Sequence, residues 1–579
     1  MTTFINLINY NSSNEKENEF FNDDNRKFIL DQSVFLNIPG KTICYESNDK
    51  IIDIFKLNNS LKDVADFKTG ITTGDNTKFM RSWFEIQFNN IYFNSENVQN
   101  SIDSGFKWFP CKSGGTTRKW FGNNDLIINY QNDGYDIKHF VDKHGKLKST
   151  IRNQKYYFRE SITWSKITSN QISVRYAKIG SIFDAVGLSA FEKNSNLTYI
   201  MALLNSKPTM LLLSYIRDGL SILVGNLVNL PFIVPSSTDE IQISKLTQQC
   251  IDISCEEWDS REISWDFNIN ELIHYKTTLT LEDAYNNYCT YWKEKFHQLH
   301  TNEEELNRIF IDIYGLEDEL TPDVPLKDIT ILKTETEIRN GKLSFKKDVI
   351  IKQFISYAVG CMFGRYSPEK PGLILANQGE TLADFKAKVP NVDFMPDEDN
   401  IIPVLDNEYF SDDIVGRFKE FLKFTFGAET LSVNLDFIAG ALAKKGGKGS
   451  EQVIRDYFIK DFYKDHLKMY KKRPIYWMFT SGKGKAFNAL VYMHRYDKQT
   501  LAKMRMDYLL ELESKMDAQK GMLDGDKVTS QRDKLAGQIR EIMEYDEVLK
   551  NKADAYIEID LDDGVKVNYA KFEGLVGKI

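Results

Sequence analysis

Apolar positions change their spacing along the chain. Residues 51–55 and 61–67 open a segment of short runs, and strand-like stretches follow at 83–88, 126–130, 161–167, 172–176 and 181–185. These runs are rich in β-branched and aromatic residues and are set apart by turn-forming residues, the pattern of sheets. Between them 135–144 predicts a short helix. Residues 197–204 and 208–215 predict a pair of apolar-faced helices, and 224–235 an extended exit. From 236 onward the chain is acidic and the spacing helical. Tyr285, Tyr288, Trp292 and Phe296 recur every three or four residues within 280–314, a core stripe read here as two helices, the second starting at Asn302. Further helices are predicted at 348–366, 403–424 and 436–470. Leu501, Met504, Tyr508, Leu512 and Met516, then Leu535, Ile539, Ile542 and Leu549, predict an antiparallel helical hairpin over 499–551, broken near 521–525. The end, 561–569, reads as a turn between short strands.

This predicts an α+β protein: a strand-rich domain at 46–235, a helical connector at 236–330, a mixed helical domain at 331–430 and a helical domain with the hairpin at 431–579. A first segment occupies 1–45, of which 1–27 is an Asn-, Ser- and Glu-rich lead expected to be loose.

Composition narrows the class. With 42% hydrophobic and 27% charged residues over 579 positions, the chain has the profile of a soluble globular protein. The longest apolar run, 199–213, is broken by Asn205, Ser206, Lys207 and Pro208, so no membrane span is expected. The six cysteines form no Cys-x-x-Cys pair, and the start lacks a secretory pattern; the expectation is reduced thiols in the cytoplasm. A net charge of −9 argues against non-specific coating of nucleic acid. The charge is segregated, however: 105–178 carries 14 Lys/Arg against 5 Asp/Glu, and 441–485 carries 12 against 4. Local cation density, not the total, decides whether a DNA face exists.

Two stretches carry the candidate chemistry. FKTGITTGDNTKFMRSWFEI (67–86) reads as a strand and a glycine turn followed by Lys78, Phe79, Arg81 and Trp83. KWFPCKSGGTTRKWFGNNDLIINYQNDG (107–134) mixes Lys107, Lys112, Arg118, Lys119 and Asn123 with four aromatic side chains around Gly114 and Gly115. Cations attract phosphate, aromatic rings offer stacking faces, and glycines let a backbone approach. The candidate DNA-binding residues are therefore Thr73, Asn76, Lys78, Arg81, Lys107, Lys112, Arg118, Lys119, Asn123, Lys166 and Arg175. Arg81 could hold guanine and Asn76 adenine; alternatively Arg81 pairs with Glu85 and Asn76 only closes the turn. Lys112, Arg118 and Lys119 are candidate phosphate contacts. Lys166 shares a strand face with Trp164, a core residue, and would reach DNA only at the rim. Lys444, Lys445 and Lys448, in a glycine turn, are candidate phosphate ligands, with a solvated loop as the alternative. Asp259, Glu262 and Asp266 read as capping and ion-pair residues rather than metal ligands. A nuclease lacks support, since no compact Asp…Glu-x-Lys group is present.

These two stretches resemble the target-recognition region of the PglX family, the adenine-specific DNA methyltransferases of BREX phage-defence systems. The matching residues are Gly70, Thr73, Gly74, Asn76, Phe79, Arg81, Trp83 and Glu85, then Lys107 to Pro110, Gly114, Gly115, Arg118, Lys119, Trp120 and Gly122 to Asn124. ITWSKITSNQISVRYAKIGSIFDAVGLSAF, NEEELNRIFIDIYGLEDELTPDV, ISYAVGCMFGRYS and LDDGVKVNYAKF also resemble it.

The resemblance implies that 46–235 is a DNA target-recognition domain, and that 1–45 is a connector from a catalytic domain that the family carries ahead of it. That domain holds S-adenosylmethionine on a glycine loop and grips a flipped adenine with an Asn/Asp-Pro-Pro-Tyr box. Neither motif occurs in this sequence; 185–189 and 481–485 are the nearest glycine turns. The expectation is a recognition and scaffolding portion without cofactor or methyl transfer of its own, partnered by duplex DNA, a separate methyltransferase domain and other BREX proteins. The rival expectation is a silent protein that docks BREX components through its C-terminal helices.

Overall fold

In the computed structural model, all residues are described except 8, 9, 22–26, 46, 169, 170, 218, 444–446 and 524–528. The chain is α+β, as its spacing predicts. Two four-stranded sheets organise the region up to residue 192. In one, Gly187–Glu192 pairs antiparallel with Ala65–Lys68 on one side and Ser161–Ser165 on the other, and Val174–Ala177 forms the far edge. In the other the order is Ile182–Phe183, Trp108–Lys112, Leu126–Asn129, Met80–Ser82, with only the first pair parallel. Trp108–Lys112 is buried along its whole length. Phe109 packs into a local cluster with Ile71, Phe79, Ile128, Tyr130 and Phe183, while Trp83, Trp108, Trp120 and Trp164 join a core that continues to Leu575.

Several predicted elements move. The strand expected at 83–88 lies instead at Met80–Ser82, because Glu85 folds back and accepts the Ser82 N–H at 2.9 Å, tightening Trp83–Glu85 into a 3-10 turn. The helix expected at 135–144 ends at Lys138. Beyond it the Asp142 carboxylate accepts the N–H groups of His144 (2.8 Å) and Lys146 (3.0 Å) and reverses the chain.

The two helices expected within 280–314 are one, Leu281–Tyr314, entered at Thr280 and closed by Gly315 in the left-handed region. Asn302 does not cap a second helix. Its side chain is buried and bonds Gln298 and Gln249, so it faces the neighbouring Ser237–Asp259 helix. Tyr288, Trp292 and Phe296 are buried as the spacing requires.

Toward the C-terminus, Asn488–Tyr492 lies between Ile401–Pro403 and Tyr476–Thr480, both antiparallel. The helical hairpin forms from Thr500–Lys503, a π-turn at Met504–Leu509 and Leu510–Met522, returned by Thr529–Asp554. The short strands expected at the end are a 3-10 turn, Leu561–Asp563, and a helix, Val565–Ala570. The lead, expected to be loose, has Thr2–Ile5 paired antiparallel with Lys27–Leu30. All six cysteines carry free thiols. Among the described residues no helix is long and apolar enough to cross a membrane.

Candidate nucleic-acid interface

The turn at 70–76 is shaped by close approach. A Cβ on Gly70 would lie 1.8 Å from the Phe183 carbonyl oxygen, so only glycine fits. Ile71 N–H donates to Phe183 O (3.0 Å), and Thr72 and Thr150 exchange backbone bonds of 2.8 Å. Gly74 then turns with φ 77°. The Asp75 carboxylate caps the short Asn76–Phe79 helix by accepting Lys78 N–H at 3.1 Å. Thr73 is buried, and its hydroxyl donates to Asn76 Oδ1 at 2.5 Å. Asn76 and Lys78 are exposed, with Lys78 Nζ 4.8 Å from the Phe140 ring centroid.

Asn76 and Thr77 form one wall of a cleft of about 280 Å³, whose other walls include Ser113, Leu126, Lys471, Arg473, Asp563 and Lys566. Four cationic side chains (Arg81, Lys471, Arg473, Lys566) face two acidic ones (Glu85, Asp563) around it. The sequence reading found the first wall and missed the second. Only the cation excess of 441–485 hinted at Lys471 and Arg473, and nothing pointed to Lys566.

Arg81 lines the cleft but is not free to grip guanine. Its Nη1 donates to the carbonyls of Thr77 (2.5 Å) and Met80 (2.9 Å), its Nη2 to Asp563 O (3.0 Å), and its guanidinium lies 5.6 Å from the Trp108 ring. Nor is Glu85 its simple partner: Glu85 Oε2 accepts Val565 N–H at 2.9 Å and meets Arg473 Nε at 3.5 Å. Lys107 is held likewise, by Asp562 at 3.0 Å, whose other oxygen accepts Trp108 Nε1–H at 3.1 Å. These residues dock the C-terminal turn onto the sheet that holds Met80–Ser82 and Trp108–Lys112.

The glycine-rich loop at 113–124 departs furthest from expectation. Arg118, Lys119, Asn123 and Arg175 are buried. Arg118 donates to the Glu257 carboxylate, to Ser254 O (3.1 Å) and to Phe121 O (2.6 Å), over the Trp258 ring. Lys119 Nζ meets Glu303 at 2.7 Å, and Trp120 Nε1 donates to the other Glu303 oxygen at 2.8 Å. Asn123 donates to Thr116 O at 2.9 Å, closing the loop on itself. These side chains staple the loop to the Ser237–Asp259 and Leu281–Tyr314 helices and present nothing to phosphate. Arg175, 1% exposed, makes only long contacts of 3.4 Å, to Arg118 O, Ser173 O and Ser165 Oγ. Burial, then the Arg118 charge, brings its guanidinium down to about 10.

Lys112 is also buried, donating to Asn124 Oδ1 at 2.5 Å, and among the described residues it has no carboxylate in ion-pair range. Burial, followed by repulsion from Arg175, pushes its amine down to about 7. Lys166 sits half-buried at the rim beyond the fully buried Trp164, where the alternation places it. Lys444 and Lys445 lie outside the described residues; Lys448 is exposed and pairs with Asp456. Among the described residues Asp259 and Glu262 take neither the capping nor the ion-pair role expected of them: at the end of the Ser237–Asp259 helix Asp259 accepts from Ser264 Oγ at 2.6 Å, and Glu262 accepts from the Tyr470 hydroxyl at 3.2 Å. Arg365 is fully buried and donates to the hydroxyls of Tyr366 and Tyr492.

The cations that do face outward lie in a segment the sequence reading counted but did not single out. Residues 138–159 hold seven of the 14 Lys/Arg of 105–178 and one of its five acids, Asp142. Lys143, Lys146, Lys148, Arg152, Lys155 and Arg159 are all exposed, and among the described residues none of them is in an ion pair.

The two glycine turns nearest to a cofactor loop do not fit S-adenosylmethionine. A Cβ on Gly187 would lie 2.6 Å from Lys112 O, so that glycine serves strand packing. The 481–486 turn already holds an anion, the Glu541 carboxylate, through Ser481 Oγ (2.6 Å), Gly484 N–H (2.8 Å) and Ala486 N–H (3.1 Å).

No protein-family model matches the chain. It is 39% identical over 595 residues to the adenine-specific methyltransferase PglX of Lacticaseibacillus casei (strain Zhang), an alignment covering 98% of this chain and 48% of that protein. It is 36% identical over 599 residues to the adenine-specific methyltransferase BrxX of Escherichia coli O9:H4 (strain HS), covering 100% of this chain and 48% of the relative. Along its whole length the chain is thus similar to proteins named adenine-specific methyltransferases, and it spans about half the length of these curated relatives.

Proposed function

We propose that this chain belongs to the PglX-type adenine-specific DNA methyltransferases of BREX phage defence and supplies DNA target recognition and scaffolding. The observation that carries the reading is the similarity, over 98% and 100% of the chain, to two proteins so named. The cleft beside Asn76 supports it. An exposed carboxamide stands there with Lys566, a lysine in no ion pair among the described residues, while Lys471 pairs with Asp125 and Arg473 with Glu85; a base-edge group and a phosphate-seeking cation thus share the cleft. Asn76 is the base-reading residue in this proposal, and Thr73 orients it. Methyl transfer to adenine belongs to the whole protein, with the cofactor held outside the turns described above.

The test is fluorescence anisotropy of this chain with mixed-sequence duplex DNA across a salt series. Binding that weakens steeply with salt supports the reading. No binding at low salt, with or without a methyltransferase domain added in trans, overturns it in favour of a protein-docking role. The observation favouring that second reading is the three exposed methionines, Met506, Met522 and Met543, on the helical hairpin.

A further inference from the structure

Three of the outward-facing cations of 138–159, Lys143, Lys146 and Lys148, are mounted on a hairpin. Lys148 N–H donates to Phe140 O (2.9 Å), Asp142 N–H to Lys146 O (2.8 Å), and Gly145 closes the tip. Val141 and Leu147 pair across it on one face yet remain 46% and 53% exposed, while Phe140 anchors the hairpin's base with its ring 5.1 Å from that of Phe79. The one acid, Asp142, is taken up by the turn's own N–H groups and leaves the lysines unneutralised.

The hairpin is strapped to the candidate reading turn at three points. Thr150 pairs with Thr72, Asn153 Nδ2 donates to Thr69 O at 2.9 Å, and Lys148 O sits 2.8 Å from where a Gly74 Cβ would be. Lys78 and Lys148 flank the Phe140 ring, at 4.8 and 4.9 Å from its centroid. The reading turn and the hairpin therefore share one rim.

We propose that the 140–148 hairpin grips the phosphodiester backbone of duplex DNA through Lys143, Lys146 and Lys148, holding the duplex while Asn76 faces base edges. A two-stranded ribbon is narrow enough to lie along a groove, and lysine contacts the flanking phosphates as a point charge. The glycine-rich loop, with its cations spent on Glu257 and Glu303, has no part in this. The inference rests on the DNA-binding reading above and assigns its phosphate contacts.

The experiment compares salt slopes of duplex binding for the wild-type chain, the triple variant Lys143→Ala, Lys146→Ala, Lys148→Ala, and the matching triple Lys→Arg. Each lost phosphate contact lowers the log–log slope by about 0.9, so the alanine variant is expected to lose about 2.7 and the arginine variant to keep the wild-type slope. If the wild type binds steeply and the alanine variant keeps that slope, the hairpin assignment falls while DNA binding stands. If the wild type fails to bind DNA at low salt, the DNA reading falls and this inference with it. Equal competition by duplex RNA of the same length would overturn duplex DNA as the partner.

Discussion

The Arg118 guanidinium donates to the Glu257 carboxylate, 139 residues away, with both side chains buried and the guanidinium over Trp258. Arg261 reaches the other Glu257 oxygen at 3.3 Å, and Leu332 N–H adds a bond of 3.2 Å. Burial alone would push the Glu257 carboxyl up; the two guanidiniums outweigh it and hold the group below its ordinary value. A buried pair broken on one side leaves an uncompensated charge. Arg118→Met is therefore expected to cost about 3–5 kcal/mol in urea unfolding. Arg118→Met with Glu257→Gln should cost clearly less than the sum of the single changes.

Gly74→Ala tests the strap between turn and hairpin. Alanine at φ 77° costs about 1–2 kcal/mol from backbone strain, and its Cβ would press on Lys148 O. Reduced DNA affinity is expected although no charge is removed. Hydrogen exchange should show faster opening over 140–150. Unchanged exchange there would separate the turn from the hairpin.

Two buried ionisable groups set opposite pH slopes. Glu262, buried with Oε1 unpartnered, is pushed up to about 7 by burial. Its folded form holds a proton the unfolded form releases, so its contribution is present below the unfolded value of about 4.3 and lost as pH rises through 7. Lys112 is the reverse: its folded amine is lowered to about 7, so its penalty is relieved as pH rises from 7 toward the unfolded value of about 10.4. Thermal unfolding from pH 4 to 10 should show Glu262→Gln flattening the acid-side decline and Lys112→Met flattening the alkaline-side rise.

Asp562→Ala removes the shared acceptor of Lys107 and Trp108. The cost expected is about 1–3 kcal/mol, the range for leaving a buried indole N–H without a partner. Exchange protection should drop over 107–112 as well as around residue 562. A change confined to the C-terminus would mean that the docking contact carries no stability.

The periodic parts of this fold were legible. The Tyr288, Trp292, Phe296 stripe, the hairpin faces and the Trp164 core position follow from spacing, because burial on one face leaves its mark at fixed intervals. What spacing cannot carry is the partner of a charge. Arg118 and Lys119 look like a DNA patch in sequence because their carboxylates, Glu257 and Glu303, lie 139 and 184 residues further on. Arg81 reads as a base-gripping side chain until Asp563 O and the carbonyls beside it claim its donors. The exposed lysines of the hairpin were visible in the charge count, but nothing local distinguished them from the buried ones. Helix continuity through Asn302 was hidden for the same reason: its partner Gln249 belongs to another element.

The 561–565 turn lies 454 to 482 residues beyond the side chains whose bonding it completes. Arg81, Glu85, Lys107 and Trp108 all wait for it. Without it, the reading turn stands with those donors and acceptors unmet and the Trp108 edge uncovered, the kind of surface that chaperones hold and that aggregates when they do not. The sheet region and the 561–565 turn thus fold as one unit across the length of the chain, and expressing the sheet region without that turn is expected to yield an unfinished, sticky product.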